Sequence, residues 1–344
     1  MSESLPILMP GDLIVLDDRP SLWERFLARR AVQYGTGLAT VAGLVAAGLG
    51  PELVLTLGAF ALGAPRLLLA LAFGRHFRRG LYRRSLFVTT RLLDLSWWWR
   101  DTFIWQLNQA TCYMALGDLE QGKALACKLR ERGLPSYADW AVHVNLAALY
   151  LKLGEAESAL AVLEPIALDH VPEYGQVHYL LNRAGAHALV QSWAPALADL
   201  ERAEALGPVP ELRAGCLSLR AYIMIEHAGD REGALFLSNE AVHLLGERYR
   251  VQAGVLVAHA RIVLDATGDV GATLSILARA VEHEAELGLP DQAELHYLFA
   301  RCCQDSGMAG EALSHVDRAA DLPSRSPLQE RILALQAELA PLAA

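Results

Sequence analysis

The feature that most constrains the fold is a turn that recurs six times between residues 103 and 325. Each turn separates two apolar segments with helical spacing. The turn positions are 37, 37, 38, 39 and 39 residues apart, at Gly117, Gly154, Gln191, Gly229, Gly268 and Gly307. A single helical hairpin cannot bury its apolar face, whereas stacked hairpins share a continuous core. The spacing therefore predicts an all-α chain built from helical repeats.

Small residues keep fixed distances from these turns. Ala110, Ala147 and Ala184 each lie seven positions before a turn, and Tyr113 and Tyr150 lie four positions before one. A second small residue follows twelve positions after the later turns, at Ala203, Ala241, Ala280 and Ala319. Such positions are typical of helices that pack closely against each other.

The pattern resembles the tetratricopeptide repeat (TPR). The resemblance implies a right-handed solenoid of six helical hairpins over residues 103–325. It is weaker in repeats 4 to 6, where Tyr222 and Arg261 replace the small residue. Residues 326–344 begin with Ser-Pro and are expected to form a helix that caps the final repeat.

The resemblance also implies that the first helices of the repeats line a partner groove, which would bind a protein or peptide. The predicted groove is apolar in repeats 1 to 3, and more polar and acidic in repeats 4 to 6. Its residues are Leu107, Asn108, Thr111, Met114, Val144, Asn145, Ala148, Leu151, Leu181, Asn182, Glu226, Asp265, Tyr297 and Arg301. The carboxylate clamp of some family members is not expected, because lysines are missing around Asn145.

A second constraint is the apolar stretch 31–74, which contains only two charged residues, Glu52 and Arg66. Its halves are long enough to cross a bilayer, since a helix rises ~1.5 Å per residue and the hydrocarbon core is ~30 Å thick. Gly50-Pro51-Glu52 is a natural turn between them. We therefore expect a two-helix membrane hairpin, preceded by a cytosolic segment over 1–30 that contains a short amphipathic helix.

The polar residue inside this hairpin is Arg66, which follows Pro65. Three arrangements are consistent with its position. Arg66 extends to the cytoplasmic headgroups, or the hairpin is re-entrant, or Arg66 pairs with an acid of another subunit or lines a polar path. The sequence does not distinguish among them.

Residues 75–102 are basic and aromatic, and we expect an interfacial helix at the membrane surface. Arginine is attracted to anionic headgroups, and tryptophan favours the headgroup level. The residues concerned are Arg75, Arg78, Arg79, Arg83, Arg84, Trp97, Trp98 and Trp99. Because arginines flank the hairpin on both sides and are absent from its turn, both termini and the repeat domain are expected in the cytoplasm, at a bacterial inner membrane.

Charge is divided sharply along the chain. Residues 21–100 carry eleven arginines and three acids, whereas residues 101–344 carry eighteen basic and thirty-two acidic residues. A basic patch next to an apolar hairpin suits a lipid surface better than nucleic acid, so no nucleic-acid partner is expected.

Motifs for catalysis are missing. The sequence contains no P-loop, GxSxG, HExxH or GxGxxG, and the histidines have no zinc-ligand spacing. None of the five cysteines forms a CxxC pair, so reduced core thiols are expected. No catalytic residue, metal or cofactor is predicted.

These features predict a non-enzymatic, membrane-anchored TPR scaffold that binds a protein or peptide on the cytosolic side. The alternative is a structural subunit of a membrane complex, in secretion, channel or envelope assembly, whose hairpin packs on other subunits. The sequence leaves open both homo- and hetero-oligomers.

Overall fold

The structure, a computed structural model, describes residues 67–77, 79–94, 99–132, 136–245, 253–324 and 326–342. These residues are mostly helical, and no strand occurs among them. The chain divides into two compact units, Met1–Leu116 and Gly117–Ala344. The predicted segment 1–30 and the part of the predicted hairpin up to Arg66 lie outside the described residues.

The first unit has a small core of its own. A helical stretch over 67–77 is followed by α1 (Tyr82–Asp94) and α2 (Trp99–Ala115). The ring of Phe73 meets that of Trp105 edge to face, with the ring centroids 5.7 Å apart. The core residues are Leu69, Phe73, Phe77, Tyr82, Val88, Leu92 and Cys112.

The interfacial segment is not the single helix predicted over 75–102. The chain turns at Gly80, whose φ is +70°, and the N–H of Leu81 donates to the carbonyl of His76 over 2.9 Å. A left-handed residue with such a hydrogen bond ends a helix. The predicted segment is therefore divided among the end of the first helical stretch, α1 and the start of α2.

The described end of the predicted hairpin has two different faces. Leu69 and Phe73 are buried, whereas Leu67, Leu68 and Leu71 are exposed. Helicity continues to residue 77, beyond the predicted end at Gly74. No helix among the described residues combines the length and apolar character that crossing a membrane requires.

The residues predicted to meet the headgroups are only partly described. Arg75, Arg79 and Arg83 are exposed, and Arg84 is half-buried. Trp99 begins α2. The others, Arg78, Trp97 and Trp98, lie outside the described residues.

The second unit is a succession of antiparallel helix pairs. Its helices are α3 (Leu119–Glu131), α4 (Ser136–Leu153), α5 (Ala156–Leu163), α6 (Glu173–Leu189), α7 (Trp193–Ala205), α8 (Pro210–Ile223), α9 (Arg231–Leu245), α10 (Ala253–Thr267), α11 (Val270–Val281), α12 (Leu289–Asp305), α13 (Ala309–Ala320) and α14 (Ser326–Leu339). Consecutive members from α4 to α13 form five hairpins, and each first helix also packs on the next. The described part of the second unit thus has the predicted repeat architecture.

All six predicted turn positions adopt left-handed backbone, with φ between 59° and 82°. At the second turn, the N–H of Glu155 donates to the carbonyl of Tyr150 over 2.8 Å, which satisfies an acceptor at the end of α4. Gln191 adopts φ 59° without being a glycine, so the third repeat keeps the same turn.

The predicted small positions lie in the core. Ala147 and Ala184 in the first helices are fully buried, and so are Ala203, Ala241, Ala280 and Ala319 in the second helices. In the segment predicted to cap the final repeat, α14 buries one side on α13 through Leu328, Ile332, Leu335 and Leu339.

In repeats 4 and 5, the small residue of the first helix lies one position earlier than predicted. Fully buried alanines, Ala221 and Ala260, lie one residue before Tyr222 and Arg261. In repeat 4 the reason is a π turn over Met224–Ala228, which adds a residue between the packed helix and the turn glycine. In repeat 5, the N–H of Gly268 donates to the carbonyl of Leu264 four residues back, so the helix runs further before it turns.

The first helices of repeats 2 and 6, α4 and α12, contact each other, and we call this contact the seam. The ammonium of Lys152, at the end of α4, donates to the carbonyl of Glu286, and burial lowers the pKa of this lysine. A Cβ placed on Gly288 would lie 2.9 Å from the Cα of Lys152. Only a glycine permits this backbone approach.

Candidate functional site

The candidate site begins at the π turn that ends the first helix of repeat 4. The N–H of Asp230 donates to the carbonyl of Met224 over 3.3 Å, and Gly229 follows the turn in left-handed conformation. The carboxylate of Asp230 then accepts from the N–H of Gly233 over 2.9 Å at the start of α9. The wider turn places Glu226 next to α10. Such π turns occur often at functional sites.

Arg261 on α10 is the centre of a buried ion cluster, and its side chain is only 6% exposed. Its Nη1 donates to Oε1 of Glu294 over 2.9 Å, and its Nε lies 3.6 Å from Oδ2 of Asp265. Its Nη2 contacts the carboxylate of Glu226, and its guanidinium lies over the ring of Tyr222, 5.4 Å from the centroid. The cluster therefore ties the first helices of repeats 4, 5 and 6 together.

Burial and the neighbouring carboxylates act on the charge of Arg261 in opposite directions. Burial disfavours a charged guanidinium, but Glu294 and the other anionic neighbours outweigh it and raise the pKa of Arg261. A buried ion pair contributes little net stability, because desolvation offsets the attraction. Removing one member of the pair is nevertheless costly, because the other charge then stays buried without it.

Beside the cluster lies a cavity of about 350 Å³, which we call the arginine cavity. Arg231 at the start of α9, Arg301 on α12 and Arg331 on α14 reach it together with Arg261. Nη1 of Arg331 lies 3.5 Å from Oε1 of Glu226. A volume of this size is at the lower end of small-molecule and peptide-anchor pockets.

Four predicted groove residues meet at this cavity: Glu226, Asp265, Tyr297 and Arg301. Nη1 of Arg301 donates to the Tyr297 hydroxyl over 3.3 Å. Sequence reasoning missed Arg231, Arg261 and Arg331 at the cavity. Arg261 carried a signal, because an arginine in a packed register of an amphipathic helix needs buried carboxylate partners.

The predicted groove asparagines of repeats 2 and 3 already donate hydrogen bonds to backbone carbonyls. The side-chain amide of Asn182 donates to the carbonyl of Val144 over 3.0 Å, and that of Asn145 donates to the carbonyl of Ala141 over 2.7 Å. Val144 is buried, whereas Ala148, Leu151 and Leu181 are half-buried. These amides act as helix-to-helix and intrahelical links.

The predicted groove residues of repeat 1 all lie on α2, in the first unit. They are half-buried: Leu107, Asn108, Thr111 and Met114. The hydroxyl of Thr111 donates to the carbonyl of Leu107 over 3.1 Å. Their part in a partner groove stays a prediction.

A histidine cluster lies elsewhere in the second unit. Nε2 of His296 lies 3.1 Å from Oε1 of Glu284, and its Nδ1 lies 3.3 Å from Nδ1 of His315. Burial lowers the pKa of both histidines. Within the described ranges, no group of three or more His, Cys, Asp or Glu side chains is arranged to hold a metal.

The five cysteines are free thiols. Burial raises the pKa of Cys216 to about 12 and that of Cys302 to about 11. Thiols with such pKa values stay protonated near neutral pH and are poor nucleophiles.

Comparison with known proteins identifies the fold. No family model and no curated protein matches the chain. Among solved structures, a Rap protein complexed with Competence and Sporulation Factor aligns with a TM-score of 0.54 and 12% identity over 92% of this chain and 99% of that one. A tetratricopeptide repeat protein from Parabacteroides merdae ATCC 43184 aligns with a TM-score of 0.48 and 14% identity over 79% of this chain and 98% of that one. The second unit, with its helical hairpins and their turns, has a solenoid fold of helical repeats, and the solved structures that it resembles are TPR-like.

Proposed function

We propose that the chain is a membrane-anchored scaffold that binds a protein or peptide on the first-helix side of its C-terminal repeats. The observation that carries this proposal is the arginine cavity, where side chains from three repeats and the capping helix converge on one open space. Helical repeats with such a surface commonly serve as binding platforms. The Rap protein of similar fold is complexed with a factor, which supports the proposal through the fold alone.

Photocrosslinking tests the binding role. A photoreactive phenylalanine analogue is introduced in place of Ile225, which is half-buried at the cavity, or in place of Arg202, an exposed arginine on α7 outside it. We expect a discrete protein or peptide adduct from position 225 in native membranes, and none from position 202. Equal labelling at the two positions, or only lipid adducts at position 225, would contradict a binding role for this surface.

The membrane anchor is the second part of the proposal. The stretch 31–74 carries only two charged residues, and the leucines Leu67, Leu68 and Leu71 at its end are exposed. Exposed arginines follow at positions 75, 79 and 83, where they would meet anionic headgroups. The proposed location is a bacterial inner membrane, with both termini and the repeats in the cytoplasm.

Alkaline extraction of bacterial membranes tests the anchor. The full chain is expected to stay in the membrane pellet after a carbonate wash, because an inserted apolar hairpin is held by the hydrophobic effect and not by charge. A variant without residues 31–74 serves as the control and is expected in the supernatant. Release of the full chain by the wash would show that attachment, if any, is peripheral.

A further inference from the structure

The arginine cavity carries an uneven charge distribution. Arg261 is balanced by Glu294 and Asp265, and Glu226 is shared between Arg261 and Arg331. Arg231 and Arg301, by contrast, have no ion pair with any described carboxylate. Among the described residues, two guanidinium groups therefore line the cavity without an ion pair, and Asp265 and Asp305 act on Arg301 only at longer range.

The geometry of Arg301 leaves donors available. One nitrogen, Nη1, donates to the Tyr297 hydroxyl over 3.3 Å, and the side chain is half-buried at the cavity wall. The buried cluster around Arg261 forms the adjoining wall and fixes the three first helices in place. A guanidinium presents several N–H groups in a planar fork, which suits the oxygens of a carboxylate or phosphate.

The surroundings restrict the type of anion. Residues 101–344 carry eighteen basic and thirty-two acidic residues, so the cavity is a positive site on an acidic unit. Long polyanions would be repelled by this wider field, whereas a single compact anionic group would not. The volume of about 350 Å³ suits one side chain or chain terminus, and Ile225 and Leu264 add apolar lining beside the arginines.

We infer that the arginine cavity anchors one anionic group of a partner peptide, a carboxylate or a phosphate, through Arg301 and Arg231. This inference rests on the proposed binding function and specifies the chemistry of the partner. Arg331 is a further donor, because its contact with Glu226 is at the cavity edge and its side chain is 43% exposed. Arg261 keeps a positioning role, since its charge is already matched.

Peptide binding to the full chain in detergent micelles tests the inference. The probes are four sets of fluorescent nine-residue peptides with randomised flanks. Three amidated sets have a central glutamate, phosphoserine or glutamine, and the fourth has glutamine with a free C-terminal carboxylate. At least one anionic set is expected to bind about tenfold more tightly than the amidated glutamine set, since a charge-assisted hydrogen bond contributes on that scale. The strongest set identifies the source of the anion.

Matched variants assign the effect to the cavity. Arg301→Gln and Arg231→Gln are each expected to reduce the anionic preference about threefold and the double variant about tenfold, while Arg202→Gln leaves it unchanged. Arg231 is exposed, so its variant remains informative if Arg301→Gln folds poorly. Thermal unfolding of each variant verifies that it is folded.

The outcomes separate this inference from the function on which it rests. Peptides that bind equally well in all four sets, or that keep their preference in both cavity variants, would overturn the anionic anchor and leave the scaffold role standing. If no set binds and no adduct forms at position 225, both the anchor and the proposed binding surface are wrong.

Discussion

Replacing Arg261 with glutamine is expected to lower the free energy of unfolding by about 3–5 kcal/mol, because it removes the cation from a buried ion cluster. Glu294 and Glu226 have side chains only 4% and 9% exposed, and both would lose the buried cation that they share, although Glu226 would keep its contact with Arg331 at the cavity edge. Denaturant unfolding monitored by circular dichroism measures the change. The loss should greatly exceed that of an ordinary surface substitution.

Two control variants show whether the loss of the ion cluster causes the destabilisation. Arg202→Gln removes an exposed arginine of the same unit and should change stability by less than about 0.5 kcal/mol. Adding Glu294→Gln to Arg261→Gln should restore part of the lost stability, because the double variant no longer buries a carboxylate that has lost the Arg261 cation. A cost for Arg261→Gln no greater than that for Arg202→Gln would mean that the ion cluster does not hold these repeats together.

Replacing Gly288 with alanine is expected to destabilise the seam by about 1–3 kcal/mol, as overpacking does in a tight contact. The added Cβ would lie 2.9 Å from the Cα of Lys152, and backbone must shift to admit it. Gly288 has φ −70°, so an alanine causes no backbone strain of its own. Hydrogen exchange should show faster exchange over residues 284–290, at the loop that meets Lys152.

Gly310 provides the matched control for this variant. It lies near the start of α13, and a Cβ there meets nothing within 4 Å. Gly310→Ala should therefore be neutral or slightly stabilising, since alanine has the better helix propensity. Equal stability of the two alanine variants, with unchanged exchange at the seam, would show that the close approach at Gly288 is not needed.

The repeat architecture was predictable from the sequence because its signals are local. A left-handed turn selects glycine, and close helix packing selects alanine, so both appear at fixed spacing. Gln191 shows the strength of this pattern, because it keeps the turn geometry without glycine. The seam was not predictable in the same way, because Lys152 and Glu286 meet through the accumulated geometry of four repeats.

The candidate site was predictable only in part. The register of a repeat identifies helix faces, and Glu226, Asp265, Tyr297 and Arg301 lie together at one cavity. Their part in binding a partner stays a prediction. The predicted acidic character was incomplete, because the arginines at the cavity come from different elements. Arg231 follows a turn, and Arg331 belongs to the capping helix, so neither falls in the repeat register.

The π turn of repeat 4 corresponds to the insertion of one residue into the repeat. Gln191 and Gly229 are 38 positions apart, one more than the preceding interval of 37, and Ala221 lies eight positions before its turn glycine. Removing one residue from Met224–Ala228 would restore the spacing of the first three repeats and the α-helical form of the segment. It would also rotate Glu226 away from Arg261. A single codon therefore separates a generic repeat from one that contributes a buried carboxylate, and a solenoid can gain or lose such a cavity without changing its number of repeats.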